Sequence, residues 1–186
     1  SFLPPPHPLQ KTGLGSSAAL VTSLVGCLLR FFHLIDLPKT AWGMTLELQQ
    51  QEGQRIAHNL AQICHCWAQG KIGSGFDVSS AIYGSQVYSR FSPDLSAQLL
   101  SHDTNPDGRL LVDLVQNTKW DASVEPLILP MGLDLIMADV CGGSESPSMA
   151  TKIMEWKKES SSDIWNTLAD VNKQIHKILQ TLVNKE

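Results

Sequence analysis

K-T-G-L-G-S-S-A-A-L, Lys11 to Leu20, stands between a proline-rich run and a long apolar one. Glycines at 13 and 15 let the backbone approach a ligand closely, and Ser16 or Ser17 is placed to cap a following helix. The first turn of such a helix offers N–H groups without intrahelical acceptors and the positive end of the helix dipole, which together make an anion cradle. Ser16 and Ser17 add hydroxyls able to bond a phosphate oxygen or to ligate Mg2+, a cation that takes hard oxygen ligands. On the residues alone a phosphate site and a tight turn with an ordinary serine cap both stay open.

Two familiar loops fail here. A Walker A loop ends in Gly-Lys-Ser/Thr, whereas Lys11 precedes the first glycine. The dinucleotide pattern G-x-G-x-x-G/A matches at Gly13, Gly15 and Ala18, with Asp36 at a suitable distance. However, P-P-P-H-P-L-Q-K-T is no hydrophobic strand, and only Leu34 and Ile35 remain to build the next one.

Outward from this stretch, four prolines within residues 1–12 forbid both a helix and a central strand. Residues 18–33 are apolar on nearly every face, as in a helix buried between layers, and Pro38 closes that unit. A second helix is predicted from about Leu48 to Gln69, where Ile56, Leu60, Ile63, Cys64 and Trp67 recur at helical spacing. Gly70 is its stop, and Gly53 weakens its start. Gln86–Phe91 reads as a strand, residues 92–118 as a variable hairpin or loop turning at Asn105-Pro-Asp-Gly, and Leu127–Leu129 and Leu133–Val140 as further strands. The tail reads as helices through Ile153, Met154 and Trp156 and through Ile164 to Leu182, broken at Ser160-Ser-Ser-Asp. Strands and helices without regular βαβ alternation favour an α+β fold.

The 186 residues are 42% hydrophobic and 17% charged, which is globular composition. A net charge of −4 without any Lys/Arg cluster argues against a nucleic-acid surface. Ala18–Leu29 is too short to cross a bilayer and is followed by Arg30 and His33, so no membrane span is expected. Cys27, Cys64, Cys66 and Cys141 lie in apolar patterns rather than a disulfide framework, which points to reduced thiols inside the cell. The first residues lack the basic region of a secretory leader, and a chain starting with Ser leads us to expect an upstream portion.

A second glycine cluster, Gln69-Gly-Lys-Ile-Gly-Ser-Gly-Phe-Asp-Val-Ser-Ser-Ala, repeats the grammar of the first. Its Asp77 is placed to orient a nucleophile, hold a metal, or pair with Lys71 or Lys11; the plainer role is a helix N-cap. His58, Cys64, His65 and Cys66 superficially suggest zinc. On a helix, though, Cys64 and Cys66 point in nearly opposite directions and no second Cys/His pair is near, so core thiols are expected. The five tryptophans are assigned to packing.

Three stretches, taken in order, carry a resemblance. Lys11–Leu20, Ala61–Ser85 and Gly142-Gly-Ser-Glu-Ser-Pro-Ser-Met resemble the phosphomevalonate kinase family of the GHMP kinase superfamily, and the likeness covers about residues 9–180. It implies transfer of the ATP γ-phosphoryl group to 5-phosphomevalonate. Gly13, Leu14, Gly15, Ser16, Ser17 and Ala18 would wrap the ATP phosphates, with Ser17 touching Mg2+. Asp77 matches the active-site aspartate. Lys11, Lys71 and Arg90 would offset repulsion between two anionic reactants, and Ser74, Gly75 and Arg90 would bind the substrate. The implied fold has two domains, with residues 1–130 an ATP-binding N-terminal domain and residues 131–186 the start of a C-terminal one. It is expected to be incomplete at both ends, lacking early strands and a late glycine-rich loop. Some superfamily members place a metal-binding glutamate on the helix before the second cluster, but Ile56–Gln69 has no acidic residue. The alternative expectation is a truncated, inactive binder of nucleotide or partner. The cytoplasm is the expected location, with the peroxisome as the alternative, and oligomeric state stays open.

Overall fold

The computed structural model of the chain describes residues 15–38, 48–92, 94–95, 108–136, 146–159 and 163–183. Lys11, Gly13, Leu14, residues 137–140, the Asn105-Pro-Asp turn and Gly142–Glu145 of the third stretch lie outside them. The chain divides into two compact units, one comprising Gly15–Leu127 and the other the described residues of Ile128–Glu186.

In the first unit, α1 (Ser16–Phe31) and α2 (Leu48–Gln69) form where helices were expected, but α1 is buried on one face only. Ala18, Thr22, Val25 and Leu29 pack inward while Leu20, Leu24, Leu28 and Phe31 are exposed, so an all-round apolar run does not by itself mean burial between layers. α1 starts from Gly15, not from a serine cap, because Gly15 takes the left-handed conformation and turns the chain directly into the helix. It ends in a Schellman motif: Leu34 N–H donates to Leu29 O at 2.9 Å and His33 N–H to Arg30 O at 3.1 Å. His33 occupies the left-handed position with φ 56°. α2 ends in the same motif, but with Gly70 there, where Lys71 N–H reaches Cys66 O at 3.3 Å.

Gly53, which weakens the start of α2 by propensity, is what lets α2 approach its neighbour. A methyl group on it would run into the backbone carbonyl of Asp36. Ala57 and Ala61 continue this small-residue row, so α2 packs closely with Ala18, Val25, Leu29, Ile35 and Val78 in one buried cluster. Asp36, the acidic residue of the rejected dinucleotide pattern, pairs instead with Arg30.

The other side of α2 meets a helical segment, α4 (Gly108–Val112), which widens into a π-turn over Asp113–Asn117. A loop or hairpin was expected here. Leu110, Leu111, Leu114 and Val115 form a helical apolar stripe that closes against Ile63, and this burial overrides the local turn signals. Arg55 satisfies the end of the π-turn by donating to Val115 O at 3.2 Å and Gln116 O at 2.9 Å.

A short helix, α3 (Phe76–Tyr83), precedes β1 (Gln86–Ser89), which pairs antiparallel with β2 (Ser123–Pro126) in the register Gln86↔Pro126. The expected strand at Leu127–Leu129 is therefore displaced. Backbone pairing, not burial, selects the partner of β1, and β2 is largely exposed, so an apolar run was a poor guide. Leu127 N–H still closes the ladder on Ser85 O at 3.0 Å. β1 also stops short of Phe91, which is buried and stacks edge-on against Trp120. Leu133–Ile136 has no strand pairing among the described residues.

In the second unit, α5 (Ser146–Glu159) and α6 (Ile164–Val183) match the helical tail. Trp156 and Trp165 meet edge-to-face with centroids 5.2 Å apart. Ile164, Leu168, Val171, Ile175, Ile178 and Leu182 form a stripe on α6 that is 41–58% exposed.

Candidate functional site

The site grows from two helix starts of the same construction. Gly15 (φ 72°, ψ 25°) precedes α1 and Gly75 (φ 79°, ψ −3°) precedes α3, and no side chain caps either. The first intrahelical bonds run from Ala19 N–H to Gly15 O and from Ser79 N–H to Gly75 O, both at 3.0 Å. The N–H groups ahead of them have no backbone acceptor within their helices and lie at the positive dipole ends, and in α3 the N–H of Val78 is taken by the Asp77 side chain. The two starts adjoin: a methyl group on Gly15 would sit 3.4 Å from Asp77 Cβ. Asp77 therefore lies in the first turn of α3 and beside the start of α1. Asp77 is not the N-cap of α3, a position held by Gly75; its Oδ1 accepts the N–H of Val78 at 3.0 Å.

Ser17 looks out from the first turn of α1, exposed to solvent, and its hydroxyl meets α2 behind it. Ser17 Oγ lies 3.3 Å from His65 Nε2 and accepts from Gln69 Nε2 at 3.3 Å, while Gln69 Nε2 and His65 Nε2 are 3.0 Å apart. His65 belongs to a polar stripe on α2, formed with His58, Gln62 and Gln69 at helical spacing. His58, Gln62 and His65 are buried. Gln62 Nε2 donates to Gly75 O at 2.6 Å and lies 3.2 Å from His58 Nε2. His58 Nδ1 is 3.1 Å from Asn59 Oδ1, and Asn59 Nδ2 donates to Val115 O at 3.1 Å. These contacts close with a neutral His58 that donates from Nδ1 and accepts at Nε2. Burial pushes its pKa below the usual histidine value, and the Asn59 bond only partly opposes that. α2 therefore grips both glycine loops, Gly75 through Gln62 and Ser17 through His65 and Gln69. Sequence reasoning missed this because the apolar period of α2 masked the polar one. The 4, 3, 4 spacing of His58, Gln62, His65 and Gln69 was the available signal.

Ser74 and Gly75 are held from the other side by β1. Tyr88 Oη donates to Ser74 O at 3.3 Å, and a methyl group on Gly75 would come within 2.8 Å of Gln62 Nε2, 2.9 Å of Tyr88 Oη and 3.0 Å of Phe91 Cε1. Arg90 is exposed with its guanidinium 5.9 Å from the centre of the Phe91 ring. Tyr88 is pushed up to about 12, mainly by burial; Arg90 pulls it down, and Asp77 and Cys66 raise it. Burial likewise pushes the Cys66 thiol up, a bond from the Gly73 backbone and the Arg90 charge lower it, and Asp77 raises it. Asp77, Arg90, Tyr88 and Cys66 thus share one electrostatic neighbourhood. Lys71 is exposed just beyond the end of α2.

Two concavities of about 550 and 430 Å3 lie elsewhere, the first lined by residues such as His33, Asp36 and Glu52, the second by Arg55, Tyr83 and Lys119 among others. Neither includes Gly15, Ser17 or Asp77. An anion cradle is defined by its donors, so the geometry of the helix starts is the better guide. Among the described residues no group of three His, Cys, Asp or Glu side chains is arranged to hold a metal ion.

Residues 5–85 match the family described as GHMP kinases N terminal domain. The chain is similar to phosphomevalonate kinases. It is 40% identical over 183 residues to the one from Candida albicans, covering 95% of this chain and 39% of that protein. It is 42% identical over 171 residues to the one from Gibberella zeae, covering 89% and 37%. A protein of Arabidopsis thaliana named phosphomevalonate kinase, peroxisomal, is 35% identical over 176 residues, covering 92% and 34%. The chain spans less than two fifths of the length of these relatives. No solved structure matches it. Among the described residues no helix is long and apolar enough to cross a membrane.

Proposed function

We propose that this chain carries the ATP-phosphate site of a kinase that transfers the γ-phosphoryl group to the phosphate of 5-phosphomevalonate. The observation that carries the reading is the placement of Gly15 against Asp77, which brings two glycine-led helix starts together beside one aspartate, with Ser17 in the first turn of α1. The similarity to phosphomevalonate kinases supplies the acceptor. Residues 13–18 are assigned to the triphosphate, and Lys11 to offsetting the charge of the two anionic reactants. The residues fit a magnesium ion brought in with the nucleotide, since Ser17 Oγ and the Asp77 carboxylate supply hard oxygen donors. Such an ion, when bound, neutralises phosphate charge.

Asp77 acts by placement. A phosphate acceptor whose second pKa is near 6 is already mostly dianionic at neutral pH, so no base has to remove a proton from it. Asp77 holds cationic groups in position, Lys71 and Arg90 reduce repulsion between the two anions, and the rigid Ser74–Gly75 backbone lines the acceptor side. We assign residues 1–130 to the N-terminal domain and 131–186 to the start of the C-terminal domain. The cytoplasm is the proposed location; the peroxisomal name of the Arabidopsis relative supports the second reading.

Calorimetric titration of magnesium-ATP tests the reading. The chain should bind it, and Ser17→Ala should weaken binding by about 10-fold, as for loss of a charge-assisted contact. In an active form, Asp77→Asn should lower turnover without recovery at higher pH. A chain that binds no nucleotide, or an Asp77→Asn variant with unchanged turnover, refutes it.

A further inference from the structure

We propose that His65 is a positioning residue that accepts a hydrogen bond from the Ser17 hydroxyl and so turns the serine oxygen toward a nucleotide-bound cation. The inference rests on the ATP reading above. Ser17 Oγ, His65 Nε2 and Gln69 Nε2 form a closed triangle with sides of 3.3, 3.3 and 3.0 Å. Ser17 is exposed at the head of α1, whereas His65 is buried behind it at 8% exposure. The ligand side and the support side of the serine are therefore distinct.

A hydroxyl has one proton and two lone pairs. When its oxygen faces a cation, the proton must point away, and His65 Nε2 is the acceptor in reach. When its proton goes instead to a phosphate oxygen, Nε2 needs another donor, and Gln69 supplies an amide N–H from one helical turn further along α2. The triangle thus supports both states of Ser17. α2 has no acidic residue between Ile56 and Gln69, so His65 and Gln69 are the groups it presents to Ser17.

The role predicts a magnesium-dependent effect. In calorimetric titrations of the 186-residue chain, His65→Leu should weaken binding of magnesium-ATP by about 3- to 10-fold, the size of one hydrogen bond, yet leave binding of ATP in EDTA within about two-fold. His65→Gln, whose amide oxygen reaches the same place, should recover most of the loss. In a Ser17→Ala background His65→Leu should add nothing. Equal losses with and without magnesium, or additive losses in the double variant, overturn the role while leaving the ATP reading intact. Failure of the unsubstituted chain to bind ATP overturns both. A measurement that needs no variant is the nitrogen NMR spectrum of the His65 ring in the magnesium-ATP complex. Nε2 should be an unprotonated acceptor with the proton on Nδ1, and a ring protonated at Nε2 overturns the proposal.

Discussion

Replacing Gly75 and Gly70 by alanine, one at a time, separates backbone strain from crowding. Both glycines are left-handed, with φ 79° and 61°, so an alanine at either costs about 1–2 kcal/mol, partly offset by the lower entropy of its unfolded chain. Their surroundings differ. A methyl group on Gly70 meets nothing within 4 Å, whereas one on Gly75 comes within 3.0 Å of Gln62, Tyr88 and Phe91 together. Phe91 and Gln62 are fully buried, and Gln62 also bonds the Gly75 carbonyl at 2.6 Å, so neither can withdraw freely. Overpacking of this kind adds about 1–3 kcal/mol. Gly70→Ala should therefore lower unfolding stability by about 1 kcal/mol and Gly75→Ala by about 2–5 kcal/mol, read from urea denaturation followed by circular dichroism. Tyr88→Phe, which removes one of the three crowding atoms, should recover part of the Gly75→Ala loss. Equal destabilisation at the two positions would refute the claim that Gly75 is confined by its neighbours.

Gly53→Ala should raise helix propensity yet destabilise by about 3 kcal/mol, since the methyl group meets rigid backbone at Asp36; a neutral or stabilising result in the same denaturation assay would disprove the close approach. His33→Gly should stabilise by about 1 kcal/mol by removing a side chain from a left-handed position, and an unchanged thermal midpoint would count against strain there. His58 has its folded pKa below its unfolded value of 6.5, so the unfolded chain binds the extra proton. Its contribution to stability is complete above pH 6.5 and is lost as pH falls through that value, with a slope no steeper than about 1.4 kcal/mol per pH unit. His58→Gln should flatten that slope between pH 7 and 5; identical slopes would show that His58 is not the group responsible.

Local chemistry in the sequence determined α1, α2 and the helical tail, because a long apolar run after small residues, a three-to-four-residue period and a Gly70 stop need no distant partner to be read. It also marked both glycine clusters as places of close backbone approach, and Gly15 and Gly75 are left-handed as such sites require. Position in space was another matter. That Gly15 abuts Asp77 depends on α1 and α3 packing together on α2, and nothing in either cluster encodes that contact. The helical form of Gly108–Val112 and the pairing of Ser123–Pro126 were likewise decided by partners, the first by an apolar face on α2 and the second by the free edge of β1. Gly53 reads as a defect in a helix until the Asp36 carbonyl is seen above it. His65 and Gln69 read as ordinary helix residues until the head of α1 is set against them. A hydrogen bond between residues far apart in the chain is legible only after the burial that joins their helices has fixed the distance.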